Sequence, residues 1–147
     1  MTKRILVIPA RLNSIRIKNK NIKNFYGKPI IYYSIKAALK SKIFDEIHVS
    51  TESEKIKKIV EKYSVKVKFL RNKNLSNHKT KLIDVFKFVF SKYKKLNIIF
   101  DELWYLTPCS PMITSKDLIN AKNFFNKKKS NSMLAISEYS PPIQWAL

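Results

Sequence analysis

Short apolar runs rich in β-branched residues alternate with segments of helical period along the whole chain, and this alternation constrains the fold most. Arg4 to Ile8 is a continuous run of the kind buried in a parallel sheet, and it stops at Pro9. Residues 46–50 (EIHVS), Val65 to Leu70, Glu102 to Leu106 and Ser132 to Ile136 are four further strand candidates. Between them lie the helices. Pro29 stands at a favourable first helical position, and Ile31, Ile35, Ala38 and Leu39 then form one face up to about Lys42. Thr51 and Glu54 make a T-x-x-E capping pattern ahead of Ile56, Ile59, Val60 and Tyr63. Leu82, Val85, Phe86, Val89, Phe90 and Tyr93 keep the 3.6 period for three turns, and Thr114 with Asp117 caps a helix holding Leu118, Ala121 and Phe125. With no repeat and no low-complexity linker, the pattern predicts one α/β domain over residues 1–147, with a mostly parallel sheet and right-handed crossovers.

In such sheets ligands bind outside the carboxyl ends of the strands. The loops there are 9–28, 71–80 and 107–115, with a short turn at 51–53. The first is unusual: about twenty residues without period, carrying Arg11, Arg16, Lys18, Lys20, Lys23 and Lys28 and no acid. Long irregular connections are uncommon and either functional or disordered. Cations and amides at the end of a first strand suit a polyphosphate; a disordered basic loop is the alternative.

The formal net charge of +20 would ordinarily point to nucleic acid. However, the 26 lysines are spread along the chain, and there are only four arginines and one glycine. Because arginine is the better residue for bidentate phosphate contact, the places that keep it are informative: Arg4, Arg11, Arg16 and Arg71. Gly27, just before Lys28 and Pro29, marks a turn that needs positive φ. The lone cysteine, Cys109, excludes an internal disulfide and fits a reducing compartment. No apolar run approaches the roughly 20 residues of a membrane span. The expectation is a cytoplasmic protein with neither a membrane nor a nucleic-acid partner.

Several stretches, in order, resemble the acylneuraminate cytidylyltransferases, which make CMP-activated sialic acids and related nine-carbon sugars for cell-surface polysaccharides. The family's IPAR-G-G-S-K-R-I-P-x-K-N-I followed by G-K-P is matched by IPAR-L-N-S-I-R-I-K-N-K-N-I and YGKP. FDEIHVST resembles FDxVxVST, Arg71 to Thr80 fits R-x-x-x-L-S-x-x-x-T, and LTPCSP resembles LQPTSP. The ending PPIQWAL leans toward enzymes of pseudaminic or legionaminic acid. The resemblance implies a three-layer, Rossmann-like nucleotidyltransferase domain in which a sugar hydroxyl attacks the α-phosphorus of CTP. It implies Arg11 and Lys20 as the catalytic, triphosphate-binding cations, with Asn13, Ser14 and Arg16 in support. It further implies Asn21, Arg71, Ser76 and Thr80 around the nucleotide, and Thr107, Ser110 and Gln144 near the nonulosonic acid sugar.

This sequence departs from the family at Leu12 and Asn13 (glycines there), Ile15 (basic), Lys18 (proline), Asn77 and His78 (acidic) and Thr107 (glutamine). The family's D-x-D pair for Mg2+ and its homodimerisation element lie downstream of SPPIQWAL, and none of the ten acids here forms a D-x-D. The resemblance thus implies a chain truncated at its C-terminus, with its Mg2+ ligands beyond Leu147. The alternatives are another sugar nucleotidyltransferase such as a CMP-Kdo synthetase, or a non-catalytic basic module that binds nucleic acid.

Other conspicuous residues have plain readings. Cys109 is a small half-buried residue, His48 a structural strand residue, and Lys127 to Lys129 a solvated helix end. His78 is solvent-exposed beside the site. Glu52 follows a strand end in VSTES, where a side chain can face the site, though helix capping explains it well enough.

Overall fold

The computed structural model describes residues 2–14 and 16–138. Its centre is β1 (Arg4–Pro9), whose residues Ile5 to Ile8 are wholly buried. It pairs in parallel with β4 (Glu46–Ser50) on one side and β5 (Glu102–Tyr105) on the other, giving a three-stranded sheet of order β4-β1-β5. Period 2 then sends the side chains of β1 to two different layers. Leu6 and Ile8 meet Ile31, Ile35 and Ala38 of α1 (Ile31–Ser41) and Ile56 and Val60 of α2 (Glu54–Glu61). Ile5 and Val7 meet Val89 and Tyr93 of α3 (Leu82–Lys95). The result is the expected three-layer α/β arrangement with a parallel sheet. Burying four such side chains contributes on the order of 1.5–3 kcal/mol each relative to exposure.

The last helix, α4 (Ser115–Lys128), packs on α1 and opens with the expected capping box: Thr114 Oγ1 accepts from the Asp117 N–H, and Asp117 accepts from the Thr114 N–H. No helix among the described residues is long and apolar enough to cross a membrane.

Four local expectations are corrected. Pro29 does not start a helix; it pairs with Asn24 in a hairpin of β2 (Asn24–Phe25) and β3 (Lys28–Pro29), and α1 begins two residues later. The turn at Tyr26 and Gly27, with φ of 45° and 79°, folds this stretch back before the helix can begin. Gly27 does take the positive φ expected of it.

The cap of α2 is Ser53, not Thr51. The Ser53 hydroxyl accepts from the Ile56 N–H at 3.3 Å, whereas the Thr51 hydroxyl accepts from the Ser53 N–H at 3.1 Å and its carbonyl from the Arg71 N–H at 2.7 Å. Residues 65–70 form no strand ladder, although Val65 and Val67 are buried. The Val67 N–H goes instead to Glu61 Oε1, and a bend at Phe69 turns that ring to the opposite layer, against His48. Ser132 to Ile136 likewise forms no strand and is exposed throughout. Its apolar residues match a strand in composition, yet no described strand receives them.

Arg4 is a structural residue. It sits at the amino end of β1, far along the strand from Pro9, and its Nε donates to Glu102 Oε2 at 2.8 Å.

Candidate functional site

Because β1, β4 and β5 run parallel, the chain leaves all three at one edge of the sheet, and its loops meet there. They enclose a cleft of about 830 Å³. From the first loop come Arg11, Ser14, Arg16, Lys20 and Asn21; the last two lie in a single 3-10 turn, Lys20–Ile22, whose preceding residue Asn19 takes a left-handed conformation. From the second come Arg71, Ser76 and Thr80, and from the third Thr107. Nine of the residues expected from sequence thus face one space. Among the others, Asn13 faces a smaller hollow of about 160 Å³ with Leu12, Lys18 and Asn19. Ser110 lies off the wall but shares a hydrogen bond with Thr107 Oγ1. Gln144 lies outside the described residues.

The first and third loops are joined through Asn21, which is buried. Its Nδ2 donates to the Arg11 carbonyl at 2.8 Å, and its Oδ1 accepts from the Cys109 thiol at 3.4 Å. One amide hydrogen and one lone pair remain for a ligand. Burial pushes the Cys109 thiol up, with Lys20 acting the other way. A protonated thiol is a poor nucleophile, in keeping with the plain reading of this residue.

Arg71 is the most enclosed cation of the cleft, with 6% of its surface exposed. Its Nε donates to Ser76 Oγ at 3.1 Å and its Nη2 to Glu52 Oε2 at 3.2 Å. Burial lowers its pKa, the Glu52 carboxylate raises it, and the Arg11 guanidinium lowers it further. A guanidinium keeps its proton through such shifts. The capping account of Glu52 is overturned, since Ser53 caps α2 and Glu52 bonds Arg71 and the Leu12 N–H.

The cleft is also lined by the apolar residues Ile17, Leu75, Leu82, Val85 and Tyr105, which the sequence places in loop, helix face or strand. The start of α3 and the end of β5 supply three of them, and their position beside the loops was the available signal. His78 lines the cleft and is also exposed. With cations and apolar side chains on one cleft, the site can hold a polyanion that carries a flat or apolar group.

Hard divalent cations need several oxygen donors. Among the described residues no three of His, Cys, Asp and Glu come together, and Glu52 is already engaged twice. The described residues therefore do not fit a bound Mg2+.

The family described as cytidylyltransferase matches residues 5–135. The chain belongs to the cytidylyltransferase family. It is 38% identical over 144 residues to the pseudaminic acid cytidylyltransferase of Campylobacter jejuni, covering 98% of this chain and 62% of that protein. It is 33% identical over 141 residues to the CMP-N,N'-diacetyllegionaminic acid synthase of Legionella pneumophila, covering 96% and 60%. The chain thus spans about 60% of the length of these curated relatives. A solved CMP:2-keto-3-deoxy-manno-octonic acid synthetase complexed with CTP is similar in fold, with a TM-score of 0.72 at 23% identity over 88% of this chain and 49% of that one. The chain therefore shares its fold with that solved structure.

Proposed function

We propose that the chain is the CTP-binding part of a cytidylyltransferase that activates a nine-carbon acidic sugar, giving the CMP-sugar and pyrophosphate. The observation that carries this reading is the convergence of Arg11, Lys20 and Arg71, from two separate loops, on one cleft. The names of the Campylobacter and Legionella relatives support a pseudaminic or legionaminic acid as the sugar class.

In this reaction the anomeric oxygen of the sugar bonds to the α-phosphorus, the bond from that phosphorus to the bridging oxygen breaks, and pyrophosphate leaves. The protein's part is to place the reactants and to balance charge on the phosphoryl oxygens. Arg11 and Lys20 serve the triphosphate, with Ser14 and Arg16 beside them. The free amide hydrogen and lone pair of Asn21 address the cytosine, with Arg71, Ser76 and Thr80 enclosing the nucleotide. Thr107 faces the sugar, with Ser110 hydrogen-bonded to its hydroxyl. A divalent cation would lower the charge of the triphosphate. We treat residues 1–147 as one nucleotide-binding unit, cytoplasmic, in a family whose full-length members are homodimeric.

Thermal shift with CTP, UTP, GTP and ATP tests the reading. CTP alone should raise the melting temperature clearly, and Arg71→Ala should abolish the rise. Equal shifts with all four nucleotides, or binding to DNA that collapses steeply with salt, would favour a non-specific basic module instead.

A further inference from the structure

Glu52 does not line the cleft, yet it touches both of its basic loops. Oε1 accepts from the Leu12 N–H at 2.8 Å, and Oε2 accepts from Arg71 Nη2 at 3.2 Å. Both ends of this bridge are largely enclosed, with 4% of the Arg71 side chain and 13% of the Glu52 side chain exposed. The backbone around it is pinned to the end of β4. The Ala10 N–H donates to the Ser50 carbonyl at 2.9 Å, and the Arg71 N–H donates to the Thr51 carbonyl at 2.7 Å. A carboxylate can accept on both oxygens at once; an amide of the same shape accepts on one and presents N–H on the other. The geometry therefore demands a carboxylate and not merely a polar side chain.

We propose that Glu52 is a positioning residue, fixing the spacing between the Arg11–Leu12 turn and Arg71 so that the two sides of the cleft address one ligand together. It also supplies the counter-charge that lets a buried guanidinium sit at the site without closing it to an anion. That the ligand is CTP, with its triphosphate at Arg11 and Lys20 and its nucleoside at Arg71 and Ser76, rests on the reading above; the bridge itself does not.

The test uses Glu52→Gln and Glu52→Asp in the 147-residue chain. Amide hydrogen exchange at Leu12 reports the bridge without any ligand. Its protection should fall about tenfold in both variants, while Val89 in α3 keeps its own. Calorimetry then compares CTP with inorganic tripolyphosphate, which has no nucleoside to place at Arg71 and Ser76. Glu52→Gln should weaken CTP about tenfold and tripolyphosphate much less. Adding Arg71→Ala to Glu52→Gln should cost no more CTP affinity than Arg71→Ala alone. If Glu52→Gln fails to fold, Glu52→Asp, which keeps the charge on a shorter arm, carries the same comparisons. Unchanged Leu12 protection overturns the bridge. Equal losses for both ligands, or additive losses in the double variant, overturn the positioning role. A wild-type chain that binds tripolyphosphate as well as CTP overturns the cytidine reading instead, and Leu12 exchange still decides the bridge.

Discussion

Ser34, buried on α1, donates its hydroxyl to the Thr107 carbonyl at 2.9 Å. The first helix thereby holds the third loop, although 73 residues separate the two in sequence. Ser34→Ala should cost about 1 kcal/mol, read as a lower urea midpoint, and should raise backbone exchange at residues 107–110. An unchanged midpoint together with unchanged exchange would show that the loop is held by other contacts.

Arg71→Lys separates charge from shape. Lysine keeps the positive charge but cannot donate to Ser76 and Glu52 from one rigid fork. CTP affinity should drop about tenfold or more, with the melting temperature changed less than in Arg71→Ala. Equal CTP affinity in the lysine variant would reduce Arg71 to a point charge.

His48 makes the protein acid-sensitive. Its ring projects from β4 into the layer of α3, tilted against Phe69, with Nδ1 3.3 Å from the Tyr93 hydroxyl and Nε2 without a partner among the described residues. Burial, with Lys68 and Arg71 nearby, lowers its pKa from 6.5 to about 3. The unfolded chain takes up a proton below pH 6.5 that the folded one refuses until about pH 3. Stability from this residue is therefore complete above pH 6.5 and lost as pH falls through that window. The loss should be about 1.4 kcal/mol per pH unit, or roughly 2 kcal/mol by pH 5. Urea titrations at pH 7 and pH 5 should show the fall in wild type and a smaller one in His48→Gln.

Gly27→Ala tests the hairpin. The φ of 79° strains any side chain, while no atom lies within 4 Å of the added methyl. Strain alone should cost about 1 kcal/mol, seen as a small drop in melting temperature. A loss several times larger would mean that the hairpin's placement also depends on this position.

The parts of the fold that could be read in the sequence are those set by local pattern. The β-branched run of β1, the three-turn stripe of α3, the Thr114–Asp117 box and the positive φ at Gly27 all depend on neighbours within a few residues. Misreadings arose where a distant group took a backbone atom. Glu61 claims the Val67 N–H, which joins no strand ladder, and Arg71 claims the Thr51 carbonyl, which ties Thr51 to the 71–80 loop while Ser53 caps the helix. Arginine scarcity pointed to Arg11, Arg16 and Arg71 at the cleft, and also to Arg4, which pairs with Glu102 at the opposite end of the sheet. Nothing in the spacing of Glu52 reveals that it reaches Leu12, forty residues earlier. Tyr105, Leu82 and Val85 were hidden because a residue at the end of a strand or helix follows the same pattern as one in its middle.

The cation wall of the cleft also separates this site chemically from the rest of the surface. Three of the residues lining it are arginines, whereas the chain's other positive charge is nearly all lysine. Acylating primary amines would strip most of the molecule's charge and leave those guanidinium groups intact. A dicarbonyl that attacks guanidinium would do the reverse, modifying cleft arginines while removing at most four of the chain's 30 positive side-chain charges.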